Sequence, residues 1–322
     1  MKILGISPLD KDATAALVED GRVTWAIGEE RLSRKKQHAG FPRRAIQMIL
    51  DRARITPDDI DHVVYAFLDA DREAELMRRN LDSDWSLNRS PRKESLASLI
   101  AAAQARVTPR NFAVHGLKNA METMAKPWWK EAAYKMFAGD GWLADTMNHR
   151  QFQQWIANAS DAHRKYQEEL IAGLKEFGLD HKLERVEHHL THVANAFYFS
   201  GFEKALVVTL DGYGSGLSGT VTLADGQGFH RLHSLETPTS LGTFYETVTS
   251  GLGFNPDRHA GKIVGLAAYG DPNILSPVLH SLFEWQPDGG FRMRRACDVY
   301  LARYLAARFP KIDVAAAYQR VL

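Results

Sequence analysis

Short apolar runs at residues 2–7, 14–18 and 22–27 give way to helical spacing over 43–53, where Ala45, Ile46, Ile49, Leu50 and Ala53 fall on one face. Glu19-Asp20-Gly21 separates the second and third runs, and its Asp-Gly pair predicts a tight hairpin. Pro42 suits the start of the helix. Residues 62–67 form another β-rich run. The first 67 residues are therefore predicted to fold in the order β-β-β-α-β.

The same order starts again at residue 205. A buried-type strand (205–210) precedes two runs (217–224 and 228–235) around Asp225-Gly226, and 240–252 reads as a helix. Residues 15–21 and 220–226 match in kind, each an apolar run closed by Asp-Gly. Such repetition predicts an α/β fold of two facing ribonuclease-H-like units, the plan of the actin-like and sugar-kinase (ASKHA) superfold. Two unrelated hairpins in an α/β chain are the alternative. On this reading residues 1–69 and 178–200 make the first subdomain, 70–177 a helical insertion, and 201–322 the second subdomain.

The insertion is mostly helix-forming, most clearly over 92–107 and 161–177. It holds five of the seven tryptophans: Trp85, Trp128, Trp129, Trp142 and Trp155. They are read as the core of a helical subdomain, with the wall of an acceptor pocket as the other possibility. Residues 314–322 have amphipathic helical spacing with no capping glycine or proline after them. The second unit also lacks strands after its helix. A fragment cut within a domain, with apolar sheet surface left bare, is the expectation.

Composition narrows the class. The chain has 322 residues, 45% hydrophobic and 25% charged, with net charge +1. That allows a sizeable core and gives no global electrostatic footprint for nucleic acid. No stretch approaches the roughly 20 apolar residues of a membrane span. The single cysteine, Cys297, excludes a disulfide framework within one chain. A cytoplasmic protein with no membrane or nucleic-acid partner is the reading.

Four segments carry candidate chemistry. In the first, His188 and His192 are four residues apart, one turn apart on the same face of a helix, where two imidazoles can bind one divalent ion. His189 faces elsewhere and reads as a structural donor. The zinc-protease motif is absent, because His189 stands where it needs Glu. In the second, Asp211 ends a strand and is followed by Gly212, Gly214 and Gly216. The aspartate can hold a metal, and alternating glycines can let backbone N–H groups cradle a phosphate. The third, 261–270, sets Lys262 and Gly265 among small residues, where a lysine can meet a phosphate; a packing segment with a snorkelling lysine is as good a reading. The fourth is a basic run containing Arg31, Arg34, Lys35, Lys36 and His38, between a strand and a helix. It is either a solvated loop or an anion site at a sheet edge.

These four segments, in this order, resemble the NodU/CmcH family of O-carbamoyltransferases over residues 1–67 and 184–272. The resemblance implies an actin-like N-terminal domain, similar to the threonylcarbamoyl-transfer protein of tRNA modification, followed by a YrdC-like domain. In that family the YrdC-like domain makes carbamoyl-adenylate from carbamoyl phosphate and ATP, with Mg2+. An iron-type divalent ion (Fe2+, with Zn2+ or Mn2+ as alternatives) then assists transfer to a hydroxyl of a small-molecule acceptor. By position, His188, His192 and Asp211 match the metal ligands, with a further aspartate expected beyond Leu322. Lys36 matches a residue lining the carbamoyl-adenylate site. The family's first-turn His-Asp pair is here Lys11-Asp12, so these two stand where the acid/base step is expected. The departure opens a further reading, a catalytically inactive homologue. A sugar-kinase-like or actin-like ATPase is the rival among enzymes.

Overall fold

The computed structural model describes residues 1–86, 94–110, 119, 121–285, 290–295 and 298–321. Arg92, Lys93, Cys297 and Leu322, and the side chain of Trp85, lie outside what is described.

The first sheet is built from β1 (Lys2–Ile6), β2 (Thr14–Glu19) and β3 (Arg22–Gly28). Helices α1 (Glu29–Ser33) and α2 (Arg43–Ala53) follow, and then β4 (His62–Tyr65). The β2–β3 turn places both Asp20 and Gly21 at positive φ, the geometry that favours Asp-Gly there. Leu4, Ile6, Ala15 and Leu17 alternate inward onto Ala45, Ile46, Ile49 and Leu50 of α2. β1 pairs antiparallel with β2 and parallel with β4.

Next come α3 (Ala70–Ser86), α4 (Leu96–Ala105), α5 (Trp128–Ala138) and α6 (Trp142–Glu176). β5 (Leu183–Arg185) then pairs parallel with β4, giving the order β3-β2-β1-β4-β5. Helix α6 begins well before the 161–177 window. Its last turns do not belong to a separate insertion. Leu170 and Leu174 are buried in the core of the first sheet, and Gly173 admits the Phe41 ring, from which a Cβ would be 2.4 Å away.

Helix α7 (His188–Tyr198) leads into an antiparallel sheet of β6 (Lys204–Gly214), β7 (Leu217–Asp225) and β8 (Gly228–Glu236). Then come α8 (Leu241–Gly251), α9 (Pro256–Ala267), α10 (Ser276–His280), a hairpin of β9 (Phe283–Trp285) and β10 (Phe291–Met293), α11 (Val299–Arg308) and α12 (Lys311–Val321). Three antiparallel strands followed by a helix thus occur twice. Among the described residues the second sheet has no fourth, parallel strand. Leu206, Val208 and Leu210 on β6 keep more than half their surface exposed.

Two expectations change. Trp128, Trp129 and Trp142 are exposed rather than core. The small cluster between α3 and α6 is instead Met77, Phe152, Ile156 and Ala159, with Trp155 at its margin. Helix α12 is not amphipathic in place. Ile312 to Tyr318 are all buried, against α8, α9 and α10. The insertion's α4 feeds the same core through Leu96, Ile100 and Ala103. The inserted region therefore feeds both main cores, through α4 in one and the last turns of α6 in the other.

Candidate metal centre

Helix α7 starts just past β5, at the C-terminal edge of the first sheet, where Val186 N–H still donates to Tyr65 O (3.0 Å). Glu187 caps it: its carboxylate accepts from the N–H groups of His189 (3.1 Å) and Leu190 (2.9 Å). Arg231 holds that carboxylate from β8 at 2.6 Å. Val193 and Phe197 pack on Val207 and Ala224, which lays the helix along β6 and β7. Its first turn therefore meets the end of β6, where Asp211 lies.

There His188 Nε2 is 2.8 Å from Asp211 Oδ2 and 3.0 Å from His192 Nε2, and His192 Nε2 is 3.4 Å from the same oxygen. The three candidate ligand atoms lie within 4.8 Å of one another. His188 Nδ1 is 3.0 Å from the Ala66 carbonyl, which can only accept, so Nδ1 carries the proton. The neutral ring then turns the lone pair of Nε2 toward a second imidazole and a carboxylate. With His188 Nε2 an acceptor, the convergence of two ring nitrogens and a carboxylate oxygen is satisfied by a proton on His192 Nε2, by a second proton on His188, or by a cation between the three. The donor set fits a divalent metal.

The electrostatics show how strongly the site favours positive charge. Burial works against the imidazolium of His188, but the Asp211 carboxylate outweighs it and holds the ring above its ordinary value. Burial would raise Asp211, yet His188, His192 and its own hydrogen bond from Gly212 N–H hold it far below the usual carboxylate range. His189 is fully buried behind the site, with Nδ1 3.0 Å from Thr209 Oγ1, and burial lowers its pKa. This is the structural role its position suggested.

Phe67 stacks on the His188 ring at 4.3 Å. Behind it sits His163 from α6, buried, its Nε2 unpartnered; burial and the nearby His188 push its pKa down to about 4.

The glycine turn is held from several sides. A Cβ at Gly214 would lie 2.2–2.7 Å from the His188 side chain, and one at Gly216 2.8 Å from Leu76 Cβ. Gly212 has more room, its nearest neighbour being Glu246 Oε1 at 3.8 Å. The N–H groups of Gly212 and Ser215 are already bonded, to Asp211 and to Glu73. These two donors are thus spent within the protein, and Gly214 and Gly216 also allow close packing against His188 and Leu76.

Lys11 and Asp12 are exposed in the β1–β2 turn. The basic loop is tied to that turn: Ala13 N–H donates to His38 O (2.9 Å) and Gly40 N–H to Leu9 O (2.8 Å). Lys36 therefore belongs to the same rim as Lys11. Sequence reasoning passed over Asp10. It keeps solvent contact, yet desolvation pushes its carboxyl up; Lys11 opposes this and Asp211 adds to it. Lys262 and Gly265 are not brought to the metal cluster. They stand on the exposed face of α9, which packs on α8. A cavity of about 380 Å³ between α4, α5 and α11, lined by Leu96, Ile100, Tyr304 and Arg308 among others, shares no residue with the cluster.

Comparison with known proteins fits this geometry. The chain is 30% identical over 296 residues to the uncharacterised protein sll1178 of Synechocystis sp., covering 91% of the chain and 39% of the relative. It is 27% identical over 288 residues to the nodulation protein NolNO of Sinorhizobium fredii, covering 88% of the chain and 31% of the relative. A shorter stretch of 109 residues is 37% identical to the nodulation protein NolO of Bradyrhizobium diazoefficiens, covering 34% of the chain and 20% of that relative. The chain thus spans about a third of the length of the longer matches. No helix among the described residues is long and apolar enough to cross a membrane. The family model described as the carbamoyltransferase N-terminus matches residues 2–314, and the chain belongs to that carbamoyltransferase family.

Proposed function

We propose that this chain is the metal- and acceptor-side part of an O-carbamoyltransferase. The enzyme would move a carbamoyl group from carbamoyl-adenylate to a hydroxyl of a small natural product or sugar. The observation that carries this reading is the convergence of His188, His192 and Asp211 within a chain that matches the carbamoyltransferase family over residues 2–314. An actin-like ATPase or sugar kinase leaves that triad idle. The reading extends to an actin-like duplicated architecture, and to a YrdC-like partner domain that forms the adenylate from carbamoyl phosphate and ATP with Mg2+.

His188, His192 and Asp211 would hold a divalent ion, iron by family resemblance. When bound it supplies Lewis-acid polarisation of the carbamoyl carbonyl or the leaving phosphate. The protein's own part is positioning. The Ala66 carbonyl fixes the His188 tautomer, and Gly212 N–H aims the Asp211 carboxylate. Lys11 and Asp12 face solvent on the rim where an acceptor would enter. Lys11 can stabilise negative charge developing at the transferred group, and Asp12 can orient or deprotonate the hydroxyl. Lys36 meets the anionic adenylate from the same rim. Lys262 and Gly265 would meet it from the α9 side, with Gly212 as the open part of the glycine turn.

The test uses the full-length protein with carbamoyl phosphate, ATP and a panel of hydroxyl acceptors. AMP and an O-carbamoylated product are expected, with transfer lost on chelation and restored by added metal. ADP formation by a metal-free protein without carbamoyl transfer would replace this reading with the ATPase one. Absence of both activities in a correctly folded, metal-loaded enzyme favours the inactive homologue that Lys11 suggests. Lys36→Ala is expected to weaken binding of a non-hydrolysable carbamoyl-adenylate analogue about tenfold in titration calorimetry, with metal content unchanged. Binding equal to wild type would move the nucleotide site away from the basic loop.

A further inference from the structure

Helix α3 is the first element of the inserted region and carries none of the motif residues. Yet it sends a fully buried carboxylate, Glu73, into the wall of the metal cluster. Glu73 Oε2 accepts from Ser215 N–H (3.0 Å), and Oε1 accepts from Ser215 Oγ–H (2.8 Å) and Leu68 N–H (3.1 Å). Ser215 Oγ in turn accepts from the backbone N–H of His188 at 3.1 Å. One unbroken path of hydrogen bonds therefore runs from α3 through the glycine turn to the backbone of a candidate metal ligand.

Two further observations place the same helix behind the same turn. Asn80, seven residues on and on the same face, donates from Nδ2 to Gly216 O at 2.7 Å. Leu76, between them, is the side chain that closes on Gly216. The turn they hold is strained. Ser215 sits at φ +50, in the left-handed region that a residue with a Cβ rarely adopts. Such a conformation persists only where its surroundings fix it, and Glu73 engages both the backbone and the hydroxyl of this residue.

A buried carboxylate is costly unless its oxygens are satisfied, and here all three donors come from the two loops that flank the site. Leu68 follows β4, next to the Ala66 carbonyl that fixes the tautomer of His188. Ser215 follows Asp211 by four residues. Glu73 thus joins the segment that orients His188 to the segment that carries Asp211.

We propose that Glu73 is a positioning residue of the metal centre. Acting through Ser215, it sets the distance between the His188 and Asp211 ligand atoms. The inserted helix α3 is accordingly a part of the site. This rests on the metal reading above, and its test is arranged so that the two fail separately.

Glu73→Ala, Glu73→Gln, Ser215→Ala and the Glu73→Ala/Ser215→Ala double variant are compared with wild type in the full chain after metal removal. Co2+ is titrated and followed by its visible absorption bands. Hydrogen exchange of the metal-free proteins is measured on peptides covering 186–192 and 211–217. Thermal unfolding reports the fold. Glu73→Ala and Ser215→Ala are each expected to weaken Co2+ binding about 10- to 100-fold and to change the spectrum, as loss of a partner that orients a ligand does. The double variant should be no weaker than the weaker single, because both residues lie on one path. Exchange should quicken in both peptides. Glu73→Gln keeps an acceptor for the hydroxyl but loses the paired acceptor for Ser215 N–H, so it should fall between.

Variants that bind Co2+ with wild-type affinity and spectrum overturn the proposal. If wild type binds no Co2+, the metal reading fails, and exchange in the 186–192 peptide alone decides the positioning role. Faster exchange in Ser215→Ala supports it, and unchanged exchange overturns it. Should Glu73→Ala not fold, Ser215→Ala removes one hydroxyl only and carries the test.

Discussion

Alanine at His192 is expected to remove metal binding and leave the fold intact, whereas alanine at His188 should remove both metal and stability. The two ligands differ in burial. His192 is about half exposed, so its ring is released into water at little cost, within about 0.5 kcal/mol. His188 is buried, stacked on Phe67, and fills the space that Gly214 leaves open. Its truncation opens a cavity, strands the Ala66 carbonyl, and should cost roughly 2–4 kcal/mol. Each substitution removes one of three ligand bonds and should weaken divalent metal binding by roughly a hundredfold or more, at or beyond the upper end seen for loss of a partner that merely orients a ligand. Metal titration and thermal unfolding of the two variants check this. Equal stability loss in both, with metal bound as in wild type, would make the cluster a core hydrogen-bond network.

The same pair makes a pH signature. In the metal-free protein Asp211 holds the His188 pKa above its ordinary 6.5. The folded state therefore binds that proton more tightly than the unfolded chain. The resulting stabilisation is complete below pH 6.5 and is lost as pH rises through the raised value. Asp211 is depressed below its ordinary 3.8, so its share is present above that pH and lost as acid protonates it. Metal binding runs the other way from the His188 effect, because the ligand nitrogen must be free of its proton. Raising pH from 6 to 8 should lower the unfolding temperature of the metal-free protein relative to His188→Gln and strengthen metal affinity.

The candidate ligands were legible because their geometry is local. Two histidines at helical spacing and an aspartate at a strand end each announce themselves within a few residues. So do the hairpins and α2, whose apolar spacing needs no partner to be read. Glu73 was not legible, because its role lies in a contact with Ser215 across 142 residues, and in the sequence it is one acidic residue in the first turn of a polar helix. Asp10 was hidden by its neighbours Lys11 and Asp12, since only the folded turn brings it within electrostatic reach of Asp211. The glycines were recognised as necessary, but the structure supplies a reason the sequence did not show, close packing at Gly214 and Gly216. Close approach to a phosphate and close approach to a His188 ring leave the same mark in a sequence. The exposed Trp128, Trp129 and Trp142 show the converse limit. Aromatic content signals burial only on average, and the rings that fill the main cores are others, such as Phe41, Phe244, Phe309 and Tyr318.

Gly214→Ala should damage the site more than any other one-methyl change in the turn. The added carbon would lie 2.2 Å from His188 Cδ2, 2.3 Å from Cγ and 2.7 Å from Cβ. These are atoms near the root of a buried ring, held by the Ala66 carbonyl on one side and Phe67 on the other, so the ring cannot move aside without giving up those contacts. Either the 211–216 turn moves away from α7 or His188 is displaced, and each separates Nε2 from Asp211. Overpacking of this kind costs roughly 1–3 kcal/mol, and the metal affinity should fall about as far as in His188→Ala. Gly265→Ala supplies the control. That glycine is helical and exposed, with nothing within 4 Å of an added Cβ, so alanine should raise stability by about 0.5–1 kcal/mol and leave metal binding unchanged. If Gly265→Ala also lowers affinity for the carbamoyl-adenylate analogue, the α9 face takes part in nucleotide binding, as proposed. If Gly214→Ala binds metal like wild type, then His188 does not sit against the turn in solution, and the convergence on which the transferase reading rests is absent.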